Sequence, residues 1–273
     1  MTVPLERRLE DLKKVVFQAK LGTSYEKVMR FTRLAQFLVE KIDPKLKATV
    51  ERACLLSKAD LVTGMVGEFP KLQGIVGREY SRLSGEKPEV AEAIYEHYLP
   101  AFAGDRLPSR VVADIVSIAD KMDTIVGSFG IGLIPTGTAD PFGLRRQALG
   151  IIRIILEKRY VLSLVELIEE SGKLLKDKLG RSFAEVKLEV HDFFRTRYQY
   201  LLLDKKYPFD VVDSVISISF DDLLDVQHRI DALRVAREWE DFGSIVIGFK
   251  RAMNILKGYS SKNEVRPSLF NAP

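Results

Sequence analysis

Residues 129–150 read FGIGLIPTGTADPFGLRRQALG. Four glycines and two prolines lead into a segment that carries the paired arginines Arg145 and Arg146. Glycines ahead of a helix are a common way to cradle phosphate. The stretch is therefore either a nucleotide loop of an α/β fold or a connector between helices. The dinucleotide fingerprint needs G-x-G-x-x-G after a strand. Gly130 and Gly132 fit, but Pro135 stands where the third glycine belongs, and the preceding apolar spacing is helical. The P-loop needs G-x-x-x-x-G-K-[ST]. Gly132 and Gly137 have that spacing, but Thr138 replaces the lysine. Both readings fail on a required residue. A structural reading remains. The glycines permit positive φ in a tight loop. Asp140 is an expected N-cap, and Pro141 a first-turn residue, of a helix from about Pro141. Leu144, Ala148, Ile151, Ile152 and Ile155 form its buried stripe. Arg145 and Arg146 are left as a solvated face or as contacts to RNA phosphate or a protein partner, beside a helix N-terminus.

Outward from this stretch the apolar spacing stays helical. In YEKVMRFTRLAQFLVEKI, Val28, Phe31, Leu34, Ala35, Leu38 and Ile42 recur at three and four residues. Asp43-Pro44 ends that helix and opens another turn. KLKATVERACLLSKADLVTGMV continues, KPEVAEAIYEHYL starts near Pro88, and SRVVADIVSIADKMDTIVGSF follows with Ser109 as its expected N-cap. SFAEVKLEVHDFFRTRYQYLLLDKK is a further helix, and residues 222–258 read as two helices meeting near Gly243. In DVVDSVISIS, Val211, Val212, Val215, Ile216 and Ile218 fit a short buried helix as well as a strand. No alternating run is long enough for a sheet, so the chain reads as all-α. The expected boundary between two helical units is the loop at residues 171–180.

The 273 residues are 46% hydrophobic and 29% charged, enough to bury one or two cores. A net charge of +4 and a pI near 9.0 are compatible with nucleic acid without being diagnostic, because the signs are mixed. The lone cysteine, Cys54, excludes an intrachain disulfide and a cysteine-based zinc site, and reads as a buried thiol. The charged start MTVPLERRLEDLKK is no signal peptide. No stretch approaches the ~20 apolar residues of a membrane span. A soluble, cytoplasmic protein without a membrane role is expected.

Three histidines exist, His97, His191 and His228, and no H-E-x-x-H, G-x-S-x-G or C-x-x-C accompanies them. The His191-Asp192 pair sits on an amphipathic helix with no further ligand nearby in sequence, and reads as helix surface. The order of the first 125 residues nevertheless resembles the HD-domain fold of metal-dependent phosphohydrolases. Lys27 falls where the first histidine should be. LLSKADLV occupies the LLHDIG slot, so Ala59-Asp60 replaces His-Asp. His97 in EHYLP keeps one late histidine, and Asp120 in IADKMDT keeps the final aspartate. With two imidazoles lost, the resemblance implies a degenerate site at Lys27, Asp60, His97 and Asp120. It would be empty of metal or hold an ion only loosely, with the Lys27 ammonium pairing with Asp60 or Asp120.

KADLVTGMVGEFPKLQGIVGREYS, VAEAIYEHYLPAFAGDRLP, residues 118–155 and FKRAMNILKG, in this order, resemble the β subunit of the bacterial heterotetrameric glycyl-tRNA synthetase over residues 5–270. The family chain is longer. It has N-terminal domains similar to parts of the phenylalanyl synthetase β chain, and it continues past RPSLFNAP. The sequence thus reads as a fragment, with Met1-Thr2 as an addition. The resemblance implies an HD-like helical domain with a connecting long helix over residues 1–178. A partial, truncated anticodon-binding-like helical domain follows over residues 179–273, with RIDALRV at residues 229–235 as its DALR-like element. It further implies a division of labour in an α2β2 ligase. The α subunit uses ATP and Mg to make glycyl-adenylate and charge the tRNA. The β subunit binds tRNA-Gly and supports α. The fragment is expected to be non-catalytic and to hold no cofactor.

Candidate RNA contacts are Arg195, Arg197 and Tyr198, beside Tyr200 in FFRTRYQYLL, together with Lys250, Arg251 and Asn254. Arg145 and Arg146 complete the set. Lys250 and Asn254 are four apart and share a helix face, whereas Arg195 and Arg197 do not. Arginine and lysine supply phosphate contacts, and exposed aromatics stack on unpaired bases. Phe193, Phe194, Tyr198 and Leu201 equally have the spacing of a core stripe. The alternative functions are a metal-dependent phosphohydrolase of the HD type and a helical protein-interaction scaffold.

Overall fold

The computed structural model describes residues 4–257. The fold is all-α apart from a small hairpin, β1 (Val16–Gln18) against β2 (Gly22–Thr23). The helices are α1 (Ser24–Ile42), α2 (Lys47–Leu56), α3 (Gly64–Glu68), α4 (Ile75–Leu83), α5 (Pro88–Glu96) and α6 (Val111–Gly130). They continue with α7 (Leu144–Lys158), α8 (Leu164–Leu175), α9 (Phe183–Asp204), α10 (Phe209–Ile216), α11 (Leu223–Ala236) and α12 (Phe242–Leu256).

Chain contacts divide the molecule after Ile230 into two compact units. The first is organised around α6, which is buried on every side from Val112 to Gly130. It packs against α1, α2, α5, α7, α8 and α9. A helix apolar all round belongs inside a core. This one also carries Asp114, Asp120, Lys121 and Asp123 into the interior. Helix α1 lies against it and starts with a capping box. The Thr23 hydroxyl accepts from the Glu26 N–H, and the Glu26 carboxylate accepts from the Thr23 N–H. The turn before it needs glycine. Gly22 has φ +95°, and a Cβ there would run into the Glu26 carboxylate.

Several expectations shift in position. Ser109 does not cap α6. Its N–H and hydroxyl both donate to Glu96, and α6 begins after Arg110 with no side-chain cap. Helix α7 starts at Leu144, not Pro141, because Gly143 takes a left-handed φ of +62°. Asp140 still caps it from outside, accepting from the N–H groups of Leu144 and Arg145. The stripe Leu144, Ala148, Ile151, Ile152 and Ile155 is buried as expected. Residues 171–175 belong to α8 and are no loop. The expected division at 178/179 lies inside the first unit, since α9 packs on α6, α7 and α8. Val211, Val212, Val215 and Ile216 are buried in α10, while Ile218 lies beyond its end and is exposed. Cys54 is buried, and burial pushes its thiol up.

The second unit, over its described residues, comprises the last turn of α11 and the whole of α12, whose side chains are all exposed or half-exposed. RPSLFNAP, the N-terminal Met1-Thr2 and the final glycine of FKRAMNILKG lie outside the described residues.

Candidate functional site

The polar residues of α6 meet α1, the turn after α2 and the end of α5. Lys27 of α1 points its ammonium at α6. It lies 2.8 Å from Asp120 Oδ1 and 3.3 Å from Asp123 Oδ2, and donates to Thr124 Oγ1 at 2.7 Å. One turn on, Arg30 grips Asp123 with two parallel bonds of 2.8 and 3.1 Å. Lys58, just past α2, donates to Asp120 Oδ2 at 2.9 Å and to His97 Nε2 at 2.8 Å, with its ammonium over the Tyr98 ring. His97 Nδ1 lies 2.7 Å from the Ile94 carbonyl, which assigns the proton to Nδ1 and leaves Nε2 as acceptor. Burial and the Lys58 charge hold His97 well below its ordinary value, so it is neutral. Burial alone would raise the Asp120 carboxyl, but Lys27 and Lys58 overcome it and hold it well below the carboxylate range.

This arrangement does not fit a divalent cation. Both Asp120 oxygens face ammonium groups. Among the described residues, no three His, Cys, Asp or Glu side chains converge as ligands. Asp60 is not in the cluster. Its Oδ2 accepts from the N–H groups of Gly74 and Gly77, at 2.6 and 3.2 Å, and secures the start of α4. Of the four positions the HD resemblance singles out, the structure gathers Lys27, His97 and Asp120 and sends Asp60 elsewhere. Lys27 pairs with Asp120 rather than Asp60. Sequence reasoning missed Lys58, and its signal was a lysine inside the apolar run LLSKADLV, beside a residue already singled out.

A cavity of about 440 Å³ opens beside the cluster, lined by Lys27, Lys58, His97, Asp120, Lys121 and, from the opening loop and α7, by Phe142 and Arg146. Lys121 donates to the carbonyls of His97 and Leu99 and to Ser117 Oγ, all neutral acceptors. Burial holds its ammonium down at about 7, against the pull of Asp120 and with the push of Lys58, Lys27 and Arg146.

The paired arginines of α7 separate. Arg146 turns to this cavity. Arg145 lies close enough to Arg197 of α9 that, after burial, its charge is the main influence holding the Arg197 guanidinium down. Arg197 stacks over the Phe193 and Tyr200 rings at 5.7 and 4.9 Å, and Tyr200 is exposed. Arg145, Arg197 and Tyr200 thus form one basic and aromatic patch from two of the three candidate groups. Tyr198 is a correction. It is fully buried, its hydroxyl donates to Gln227 Oε1 at 2.9 Å, and it cannot stack on a base. Phe194 is buried with it. Arg195 pairs on the exposed face with Asp192. His191 faces the Phe220 carbonyl rather than a metal. Lys250, Arg251 and Asn254 are exposed on α12.

Fold and site define an all-α protein whose buried polar centre pairs Asp120 with two lysines. Residues 1–217 match the family described as glycyl-tRNA synthetase beta subunit. The glycine–tRNA ligase beta subunit of Geotalea uraniireducens (strain Rf4) is 54% identical over 256 residues, covering 94% of this chain and 37% of that one. Those of Syntrophus aciditrophicus (strain SB) and Geobacter sulfurreducens are 51% and 53% identical, each covering 99% of this chain and 39% of the relative. The chain belongs to the glycyl-tRNA synthetase β-subunit family. It spans under two-fifths of the length of these curated relatives. No described helix is long and apolar enough to cross a membrane.

Proposed function

We propose that this chain is a tRNA-holding part of a glycine–tRNA ligase β subunit, acting on tRNA-Gly in the cytoplasm as part of an α2β2 enzyme. The α subunit would use ATP and Mg for glycyl-adenylate formation and transfer, and this chain would contribute no reacting group. Its first helices would be an HD-like domain that has exchanged metal for lysines. The later helices would be the beginning of an anticodon-binding-like domain.

Family membership supports the ligase role, and the patch of Arg145, Arg197 and Tyr200 is the observation that carries the RNA role. Two guanidinium groups close enough to repel each other, with Asp140 near Arg197 as a partial counter-charge, suit phosphate oxygens. An exposed ring under one of them offers a stacking face. Lys250, Arg251 and Asn254 on α12 are a second proposed contact. The test is a mobility-shift assay of the purified chain with tRNA-Gly and with an unrelated tRNA. A shift that is stronger for tRNA-Gly and reduced by Arg197→Ala supports the reading. No shift with either RNA overturns it.

A further inference from the structure

The cavity beside α6 holds more buried cation than its carboxylates neutralise. Lys27, Lys58 and Lys121 line it, Arg30 lies next to Lys27 on Asp123, each of the four is no more than 8% exposed, and Arg146 stands at the rim. Against them stand Asp120 and Asp123. Asp60 adds a third carboxylate near Lys58, but it is already committed to two backbone N–H groups. With Lys121 protonated, four buried cations thus face at most three carboxylates, and the nearby His97 is neutral. Uncompensated buried charge is costly unless a counter-ion joins it or a proton leaves. Among the described residues, no carboxylate accepts a hydrogen bond from Lys121.

The groups able to touch a ligand can be named. An ammonium has three N–H donors. Lys27 and Lys121 spend theirs on protein acceptors. Lys58 uses two, on Asp120 and His97, and keeps a third. Arg146 adds its guanidinium fork from the rim. Farther out the cavity is apolar. The rings of Phe17 and Phe142 border it with centroids 6.4 Å apart. At about 440 Å³ it falls in the range of small-molecule sites, well beyond what one inorganic ion needs.

We propose that this cavity binds a phosphate monoester, with the phosphate held by Lys58 and Arg146 in the field of Lys27 and Lys121, and the organic part against Phe17 and Phe142. The site is separate from the patch of Arg145, Arg197 and Tyr200, and does not depend on the RNA reading. The phosphate could belong to a free mononucleotide or be the 5′-terminal phosphate of an RNA chain.

The test is calorimetric titration of the purified chain with inorganic phosphate and with adenosine 5′-monophosphate. Saturable binding of both is expected, tighter for the nucleotide. Arg146→Ala, at an exposed position, should weaken both by roughly tenfold or more. Phe142→Ala should weaken only the nucleotide. Repeating the nucleotide titration with tRNA-Gly present identifies the source. Displacement assigns the phosphate to RNA, retention assigns it to a small molecule, and either supports the site. Unsaturable heats for both probes, or saturable binding unchanged in Arg146→Ala, would overturn the proposal.

Discussion

Lys58 sets its ammonium 2.9 Å from Asp120 Oδ2, while Lys27 meets the other carboxylate oxygen at 2.8 Å. One aspartate thus serves two lysines from two different segments. The centre of the first unit depends on that carboxylate more than on either lysine. Asp120→Ala leaves Lys58 with no anion within its hydrogen bonds, and Lys27 with only the more distant Asp123. It should cost about 3–5 kcal/mol. Lys58→Met leaves Asp120 still paired with Lys27, removes surplus positive charge, and should cost much less. Urea unfolding of both variants measures the difference. Equal losses would show that the surplus of cation has been misjudged.

Lys121 gives a pH signature of its own. Its folded value of about 7 lies below the ordinary 10.5. Between those values the unfolded chain binds the extra proton, so the stability contribution from this residue rises with pH from 7 to 10.5. The burden of the charged form is fully present below pH 7. Lys121→Met should therefore stabilise the chain more at pH 6 than at pH 10. Melting both proteins across this range is the check. A difference that does not change with pH contradicts a charged, uncompensated Lys121.

Glu26 acts in the opposite direction. Lys178 first, then the Thr23 N–H, hold its carboxyl down at about 2. A depressed carboxyl stabilises above its unfolded value of 4.5, and that stability is lost as pH falls toward 2. Because the ion pair is partly exposed, most of the loss in Glu26→Ala should be the capping interaction, about 1 kcal/mol at neutral pH. At pH 2 the variant and parent should converge. Persistence of the full difference at pH 2 would point to packing instead.

The helices were legible because apolar spacing records which face is buried, and it placed α1, α7 and α9 almost whole. The same signal is blind to what α6 contains. A helix buried on all sides has no polar face to reveal, so Asp123, Lys121 and Ser117 passed unnoticed in an apolar run. The HD resemblance brought three of four positions together, yet its alignment favoured Asp60. Which of Lys58 and Asp60 turns inward is decided by the start of α4, where Gly74 and Gly77 offer their N–H groups. Arg145 and Arg197 lie on separate helices, and only the packing of α7 on α9 joins them. Tyr198 shows the converse: a stacking residue by composition, but a core residue by spacing.

Catalysis offers a separate check. The pure chain should give no glycine-dependent pyrophosphate exchange, since both nucleotide-loop readings fail and its polar centre has no reacting group free of partners. Exchange by the pure chain would sink the assignment of chemistry to the α subunit.

The RNA role is tested most directly by filter binding of the purified chain to tRNA-Gly at two salt concentrations, with Arg145→Ala, Arg197→Ala and Arg195→Ala alongside. Phosphate contacts release counter-ions, so affinity should fall steeply with salt. Arg145→Ala and Arg197→Ala should each weaken binding and flatten that dependence, while Arg195→Ala, whose guanidinium is paired with Asp192, should change little. Affinity that is insensitive to salt and equal in all three variants would contradict an interface built on Arg145 and Arg197.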